Sequence, residues 1–225
     1  MSTERLHDQP APKTQGRTIP WAFFYDALVK FMSFGNDSAI RKATVRLAKI
    51  KTGDKVLDVG CGTGDLTIEA KKIAGPRGDV HGTDASPNMI HQAGQKAARN
   101  GVKVNFQVGL VEVIEFAENQ FDVVLSSLMM HHLPDEVKRN GLAEIYRVLR
   151  PGGRLLIVDM QSTTGGSLGQ RLSELMIQIH GGHTAMRDNV VRQIPLVKDA
   201  GFEIAASDKL NRQLSYILAF KPGSV

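Results

Sequence analysis

At 225 residues, 42% of them hydrophobic, the chain is long enough to bury a sizeable core in one domain. Its net charge of +5 is scattered, with no run of five or more basic residues, which argues against a nucleic-acid-binding surface. The single cysteine excludes an internal disulfide, no apolar run reaches the ~18 residues of a membrane span, and the polar N-terminus lacks a signal-peptide core, so a soluble cytoplasmic protein is expected.

Residues 1–18 are polar and carry Pro10, Pro12 and Gly16, the composition of a flexible tail. From Pro20 the character changes. Trp21, Phe23, Phe24, Tyr25, Leu28, Val29, Phe31 and Met32 predict a helix ending near Gly35. It reads equally well as a cover for the core and as a lid whose aromatics close over a ligand. Asp37 or Ser38 caps a second helix running to about Ile50, and Thr52-Gly53-Asp54 turns the chain into the first strand.

Residues 56–59 are β-formers around one acid, Asp58, and they run into Gly60-Cys61-Gly62-Thr63-Gly64. A helical pattern follows at once over residues 65–74. A buried strand, a glycine turn and a helix N-terminus in succession open a nucleotide-binding crevice, because glycine lets backbone approach a ligand. The spacing is G-x-G-x-G, not the dinucleotide G-x-G-x-x-G. Asp58, two residues before the first glycine, would sit badly beside a pyrophosphate but could pair with an ammonium. S-adenosylmethionine carries an ammonium at its amino-acid end and no phosphate. Cys61 reads as a small pocket-lining residue rather than a nucleophile.

Residues 75–78 form a loop, and 79–83 a short strand with Asp84 at its end. Asp84 falls 20 residues after Gly64, where an acid accepts hydrogen bonds from ribose hydroxyls. Both S-adenosylmethionine and nicotinamide dinucleotides present such a ribose, so Asp84 points to adenosine without choosing between them. Ser86-Pro87 opens the next helix, with proline in its first turn, and Met89 lies near Asp84, as core or against an adenine face. Gly101 ends that helix. Residues 102–108 form the third strand, followed by Gly109-Leu110-Val111-Glu112. Residues 121–127 form the fourth, apolar at its centre as a strand buried on both faces should be.

Beyond that strand stands Leu128-Met129-Met130-His131-His132-Leu133-Pro134. Ligands in open α/β sheets bind outside the carboxyl ends of the strands, which puts His131 and His132 at the crevice mouth. Residues 135–149 predict a helix, 150–153 a tight turn and 154–159 a fifth strand ending in Asp159. Residues 161–169 are a polar, glycine-rich loop. A helical pattern over 168–179 leads to His180-Gly181-Gly182-His183, and a further helix spans 190–200. Residues 202–207 and 215–220 are two closing strands. The expected fold is α/β: a Rossmann-like seven-stranded, mostly parallel sheet with helices on both faces and a C-terminal antiparallel strand. Residues 19–225 form a single domain, with 19–50 as an N-terminal helical lid and 161–189 as an acceptor-side loop and helix insertion.

Four stretches in this order, VLDVGCGTGDL, VHGTDASPNMI, FDVVLSSLMMHHLPD and LRPGGRLLIVD, resemble the class I S-adenosylmethionine-dependent methyltransferases of the small-molecule type. The resemblance covers roughly residues 40–220. Tyr25-Asp26, residues 31–35 and GTGDLT are most similar to the ubiquinone/menaquinone biosynthesis C-methyltransferases. The resemblance implies that Asp58, Gly60 and Gly62 hold the methionine end and that Gly64 packs the turn against the following helix. It implies further that Asp84 takes the ribose hydroxyls, with Ala85 and Met89 near the adenine. Ser127 and Leu128 would flank the sulfonium, and Tyr25 would close over it. Leu110 and Val111 would line the adenine edge. Family members often carry an acid there that accepts from the adenine amino group; here a backbone amide would have to serve.

Methyl transfer from a sulfonium needs in-line alignment and exclusion of water, because the leaving group is neutral. Tyr25 and Phe24 offer aromatic faces to the cation. A base is needed where the acceptor loses a proton; His132 is placed first, then His131, with His180, His183 and Asp159 behind them. His180 and His183 lack a third ligand nearby, so no metal is expected. Residues 21–34 and 165–186 are apolar, which favours a flat or lipophilic small-molecule acceptor.

The expected activity is transfer of a methyl group from S-adenosylmethionine to a small lipophilic or aromatic acceptor, leaving S-adenosylhomocysteine. O- or N-methylation of another small molecule or of a phospholipid amine is the alternative. A nicotinamide-dependent oxidoreductase is opposed by the G-x-G-x-G spacing, Asp58 and the closing hairpin. Leu110 keeps a non-catalytic S-adenosylmethionine-binding protein open. No nucleic-acid partner and no stable membrane insertion are expected, and oligomeric state is not legible.

Overall fold

The computed structural model describes residues 37–160 and 190–223. Helix α1 (Asp37–Leu47) leads into β1 (Lys55–Val59), followed by α2 (Asp65–Ala74), β2 (Asp79–Asp84), α3 (Pro87–Arg99) and β3 (Asn105–Val108). Then come β4 (Phe121–Ser127), a short 3-10 turn (Met130–His132), α4 (Asp135–Val148) and β5 (Leu149–Met160). Helix α5 (Val190–Asp199), β6 (Glu203–Lys209) and β7 (Leu214–Phe220) complete the described part.

The strands form one seven-stranded sheet in the order β3-β2-β1-β4-β5-β7-β6. Strands β1 to β5 pair in parallel, and β7 runs antiparallel to both β5 and β6. The Rossmann-like, mostly parallel sheet with a reversed final strand is therefore the fold observed. The chain order reverses between β1 and β4, the switch point at which open sheets of this kind form a ligand crevice.

Both faces of the central strands are covered, which is why they read as nearly continuous apolar runs. On one face Leu57, Val59, Val124, Leu155 and Ile157 pack with Leu142, Ile145 and Val148 of α4 and Val197 of α5. On the other, Val56, Val123, Leu125, Leu156 and Val158 pack with Val45 of α1 and Leu66 and Ala70 of α2. Helix α1 stops at Leu47, short of Ile50, because Lys49 takes φ 52° and Ile50 turns into the core. The described part of the 19–50 segment is thus core-packed through Val45, Ala48 and Ile50. The 1–18 tail, the aromatic stretch holding Tyr25, and the 161–189 segment with His180 and His183 lie outside the described residues.

Two boundaries differ from the sequence reading. Strand β3 begins at Asn105 rather than Val102, since pairing with β2 starts only there. The Arg150-Pro151-Gly152-Gly153 turn lies inside β5 as a looped-out irregularity. Leu149 already pairs with Phe121, and pairing resumes between Arg154 and Val123. Gly152, at φ 73°, donates its N–H to the Lys221 carbonyl, and the Lys221 N–H donates to Gly153. Proline and glycine mark the break, but the chain beyond β7 catches the looped-out residues.

At the amino end of the sheet, Arg154 donates to Asp54 at 2.6 Å, and Asp54 also accepts the Lys51 N–H at 2.9 Å. No helix among the described residues is long and apolar enough to cross a membrane.

Candidate functional site

Strand β1 ends in a turn whose glycines 60, 62 and 64 all take positive φ, 70°, 54° and 81°. Two of them are held by close approach of other protein atoms. A Cβ on Gly60 would stand 2.3 Å from Cγ and 2.8 Å from Cβ of Met129, the residue just beyond β4 and Leu128. A Cβ on Gly64 would stand 2.8 Å from both the Ala93 Cβ and the Phe106 ring, and the Gly64 carbonyl accepts the Ile68 N–H of α2 at 2.9 Å. Gly60→Ala is expected to cost about 2–5 kcal/mol, from left-handed strain and overpacking against the stem of Met129. Urea unfolding checks this, and a loss under ~0.5 kcal/mol would mean that Met129 moves aside freely.

Two acids stand beside the turn. Asp58 is 1% exposed, and its Oδ2 accepts from Thr67 Oγ1 of α2 at 2.6 Å. Burial pushes its pKa up to about 7; the Thr67 bond opposes this and the neighbouring Asp84 adds to it. Asp84, at the end of β2, accepts the Gly62 N–H on Oδ2 and the Ser86 N–H on Oδ1, both at 2.9 Å. Burial raises its pKa as well, against those two backbone bonds. A carboxylate oxygen can accept two hydrogen bonds, so each Asp84 oxygen keeps one acceptor position. Cys61 is tied by its N–H to the Thr83 carbonyl at 2.9 Å. Burial, and then the charges of Asp84 and Asp58, push its thiol well up, which leaves it a poor nucleophile.

On the β2–β3 side, Ser86 caps α3 and accepts the Met89 N–H at 3.4 Å, with Pro87 in the first turn as expected. Met89 is buried, and Ala85 is partly exposed. The Gly109 N–H donates to the Asp84 carbonyl at 3.0 Å, and Leu110 pairs with Val113 in a lone antiparallel bridge. Val111 turns its side chain into the core, where a Cβ on Gly141 of α4 would meet it at 2.8 Å. The loop is pinned from α4 by Arg147, which donates to the carbonyls of Ile114 and Phe116 at 2.7 and 2.8 Å. Glu144 accepts the Ile114 N–H at 2.9 Å and pairs with Arg147. Burial tends to raise the Glu144 carboxyl, but the larger effect of the Arg147 hydrogen bond holds it low. Sequence reasoning missed this clamp, for which Arg147 and Glu144 at helical spacing were the only available signal.

Across the switch point, Ser126 pairs with Val59, which sets Ser127 and Leu128 beside the glycine turn. Both are partly exposed. Leu128 takes φ 55° while donating its N–H to the Val158 carbonyl at 2.9 Å, a conformation uncommon for any residue but glycine. His131 donates its backbone N–H to Asp159 Oδ2 at 2.9 Å, and its Nδ1 lies 2.5 Å from Oδ1. Asp159, 1% exposed at the end of β5, also accepts from the Met160 N–H at 2.8 Å and from Gln193 Nε2 of α5 at 3.3 Å. Burial alone would raise its pKa, but His131 and these donors outweigh it and hold the carboxyl below its ordinary value. The His132 ring packs 3.9 Å from that of His131 at 44°. The Met129–Gly60 contact thus joins Asp58, Gly60, Gly62 and Asp84 on one side to residues 127–132 on the other. No cluster of metal-ligating residues occurs among the described residues.

Residues 56–153 match a family model described as a methyltransferase domain. Over 135 residues the chain is 38% identical to the ubiquinone/menaquinone biosynthesis C-methyltransferase UbiE of Bdellovibrio bacteriovorus, covering 60% of this chain and 56% of that one. Over 145 residues it is 36% identical to the demethylmenaquinone methyltransferase of Thermus thermophilus, covering 64% of each. The chain therefore matches less than two thirds of the length of these relatives. A SAM-dependent methyltransferase from Aquifex aeolicus shares the fold with a TM-score of 0.62 at 22% identity, over 80% of this chain and 89% of that one. Phosphoethanolamine N-methyltransferase 2 of Haemonchus contortus, in complex with S-adenosyl-L-methionine, shares it with a TM-score of 0.66 at 20% identity, over 91% and 60%. Residues 56–153 are thus similar to a methyltransferase domain, and the chain resembles the S-adenosylmethionine-dependent methyltransferases.

Proposed function

We propose that the chain is an S-adenosylmethionine-dependent methyltransferase acting on a small lipophilic or aromatic acceptor. The observation that carries this reading is the pair of acids, Asp58 and Asp84, set around a left-handed glycine turn at the switch point. Two neighbouring carboxyls repel a pyrophosphate and suit a ligand that has an ammonium at one end and a ribose at the other. Asp58, held near neutrality by burial, gains a counter-charge from the ammonium. Asp84 keeps two acceptor positions for the ribose hydroxyls. Cys61 and Gly64 shape the turn, Ala85, Met89, Leu110 and Val111 surround the adenine, and Ser127 and Leu128 flank the sulfonium. For Val111 the contribution is its backbone, since its side chain faces the core. Tyr25 closes over the sulfonium.

Bound S-adenosylmethionine supplies an electrophilic methyl group and a neutral thioether leaving group. The chain's own part is to align the acceptor with that methyl and to exclude water, which together lower the barrier by up to ~10 kcal/mol. The two relatives are named as a ubiquinone/menaquinone biosynthesis C-methyltransferase and a demethylmenaquinone methyltransferase, which favours a lipophilic ring as acceptor. In this reading residues 19–225 act as one domain. The lid role within residues 19–50 rests on the aromatic stretch before α1, because α1 itself is core-packed.

Asp84→Ala should weaken binding of S-adenosylmethionine by about 1.5–3 kcal/mol through loss of charge-assisted hydrogen bonds, read by calorimetry. Unchanged affinity would remove Asp84 from the site. The activity itself is tested with S-adenosylmethionine labelled in its methyl group and an organic-solvent extract of the source cells. Label entering the lipophilic fraction supports the reading. Label in polar metabolites would overturn the acceptor class, and bound cofactor with no label transferred would overturn the enzyme.

A further inference from the structure

Two adjacent histidines leave β4, and the structure treats them differently. His131 alone is engaged twice by Asp159, through its backbone N–H and through Nδ1. Asp159 is held anionic by four donors, and an ionised carboxylate only accepts hydrogen bonds. The ring proton of neutral His131 therefore sits on Nδ1, and the basic lone pair is on Nε2. That nitrogen makes no hydrogen bond among the described residues, and the side chain as a whole is 12% exposed.

The segment cannot drift from the cofactor turn, because Met129, two residues earlier, lies against Gly60. His132 packs on the ring and, with Asp159, is the titratable side chain in contact with it among the described residues. Gln193 reaches the carboxylate from α5. It is 2% exposed, and its Oε1 is buried with no partner among the described residues. An unsatisfied buried acceptor is costly and uncommon in folded proteins. Through its Nε2 it helps to fix the orientation of Asp159.

We propose that His131 is the general base of the methyl transfer, with Asp159 and Gln193 as positioning residues that fix its tautomer. The inference rests on the methyltransferase reading above. In the step, the acceptor atom forms a bond to the methyl carbon as the carbon–sulfur bond breaks and its electron pair passes to sulfur. The proton that the acceptor loses moves to Nε2 of His131. The resulting imidazolium is stabilised by the Asp159 carboxylate, which stays unprotonated.

The test combines two measurements on the full chain. Nitrogen NMR of the imidazole rings, with no ligand added, should show His131 as the Nδ1–H tautomer. In Asp159→Asn that preference should be lost. In the labelled transfer assay with the lipophilic extract, His131→Gln should slow transfer by ~100-fold or more and Asp159→Asn by at least ~10-fold, while calorimetric affinity for S-adenosylmethionine stays within about threefold. Asp159→Asn is nearly isosteric and covers the case in which His131→Gln fails to fold. An Nε2–H tautomer in the parent protein, or transfer within threefold of the parent in either folded variant, would overturn the base assignment and leave the methyltransferase intact. A parent protein that binds S-adenosylmethionine but transfers no label would overturn both.

Discussion

Arg154→Ala is expected to lower the free energy of unfolding by about 3–5 kcal/mol, the range for breaking a buried ion pair from one side. Arg154 is the first residue of β5 to pair again after the bulge, with Val123 on one side and Phe220 on the other. Its guanidinium reaches past β4 to Asp54, the residue that leads into β1. The two side chains are 10% and 11% exposed, so solvent screens the pair little. Without Arg154 the Asp54 carboxylate keeps only the Lys51 N–H among its observed partners. The Nε of Arg154 is itself buried without a partner among the described residues, so the pair is incompletely satisfied there. Replacing both residues by apolar ones, Asp54→Leu with Arg154→Met, should therefore recover most of the loss. Urea unfolding of the two variants reads both values. A single variant within ~1 kcal/mol of the parent would show that water reaches the pair. Because this contact lies at the amino end of the sheet, the folded variant should bind S-adenosylmethionine as the parent does.

Asp58 gives the second large effect, and its sign is opposite to that of most acids. Its pKa is raised from 3.8 to about 7 in the folded chain. Below the lower value the group is neutral in both states and contributes no pH dependence. Between the two, the folded chain keeps a proton that the unfolded chain has released, so stability falls as pH rises. Above about 7 the loss is complete, on the order of 4 kcal/mol. Asp159 and Glu144, with lowered values, act the other way and lose their contribution as pH falls. The difference between the parent and Asp58→Asn isolates the Asp58 part. It should grow in favour of the variant from pH 4 to pH 7 and then level off. Parallel stability curves would rule out the shift. On the proposed function, a ligand ammonium reverses the cost by pairing with the ionised group. Affinity for S-adenosylmethionine should then rise toward pH 7 in the parent and stay flat in Asp58→Asn, as calorimetry would report.

Much of the scaffold was legible before any coordinates. Strands β1, β4 and β5 are buried on both faces, so apolar runs bounded by turns located them. The G-x-G-x-G turn, the cap at Ser86 with Pro87 behind it, and Asp84 at a strand end are local devices whose chemistry is written in a few consecutive residues. The bulge in β5 was read as a turn because Arg150-Pro151-Gly152-Gly153 carries turn chemistry, and nothing nearby announces that Lys221 completes its hydrogen bonds.

Local pattern thus determined the order and kind of the elements, the parallel sheet with its closing hairpin, and the acids around the glycine turn. These follow from side-chain periodicity and backbone preference, which act over a few residues. Only the tertiary structure decided that Met129 is the neighbour that demands glycine at position 60, that Val111 faces the core, and that Arg147 clamps the following loop. It also separated His131 from His132. Two identical side chains in succession have the same local chemistry. The phase of the 3-10 turn and the register of β5 against β4 decide which ring meets Asp159, 28 residues further along the chain.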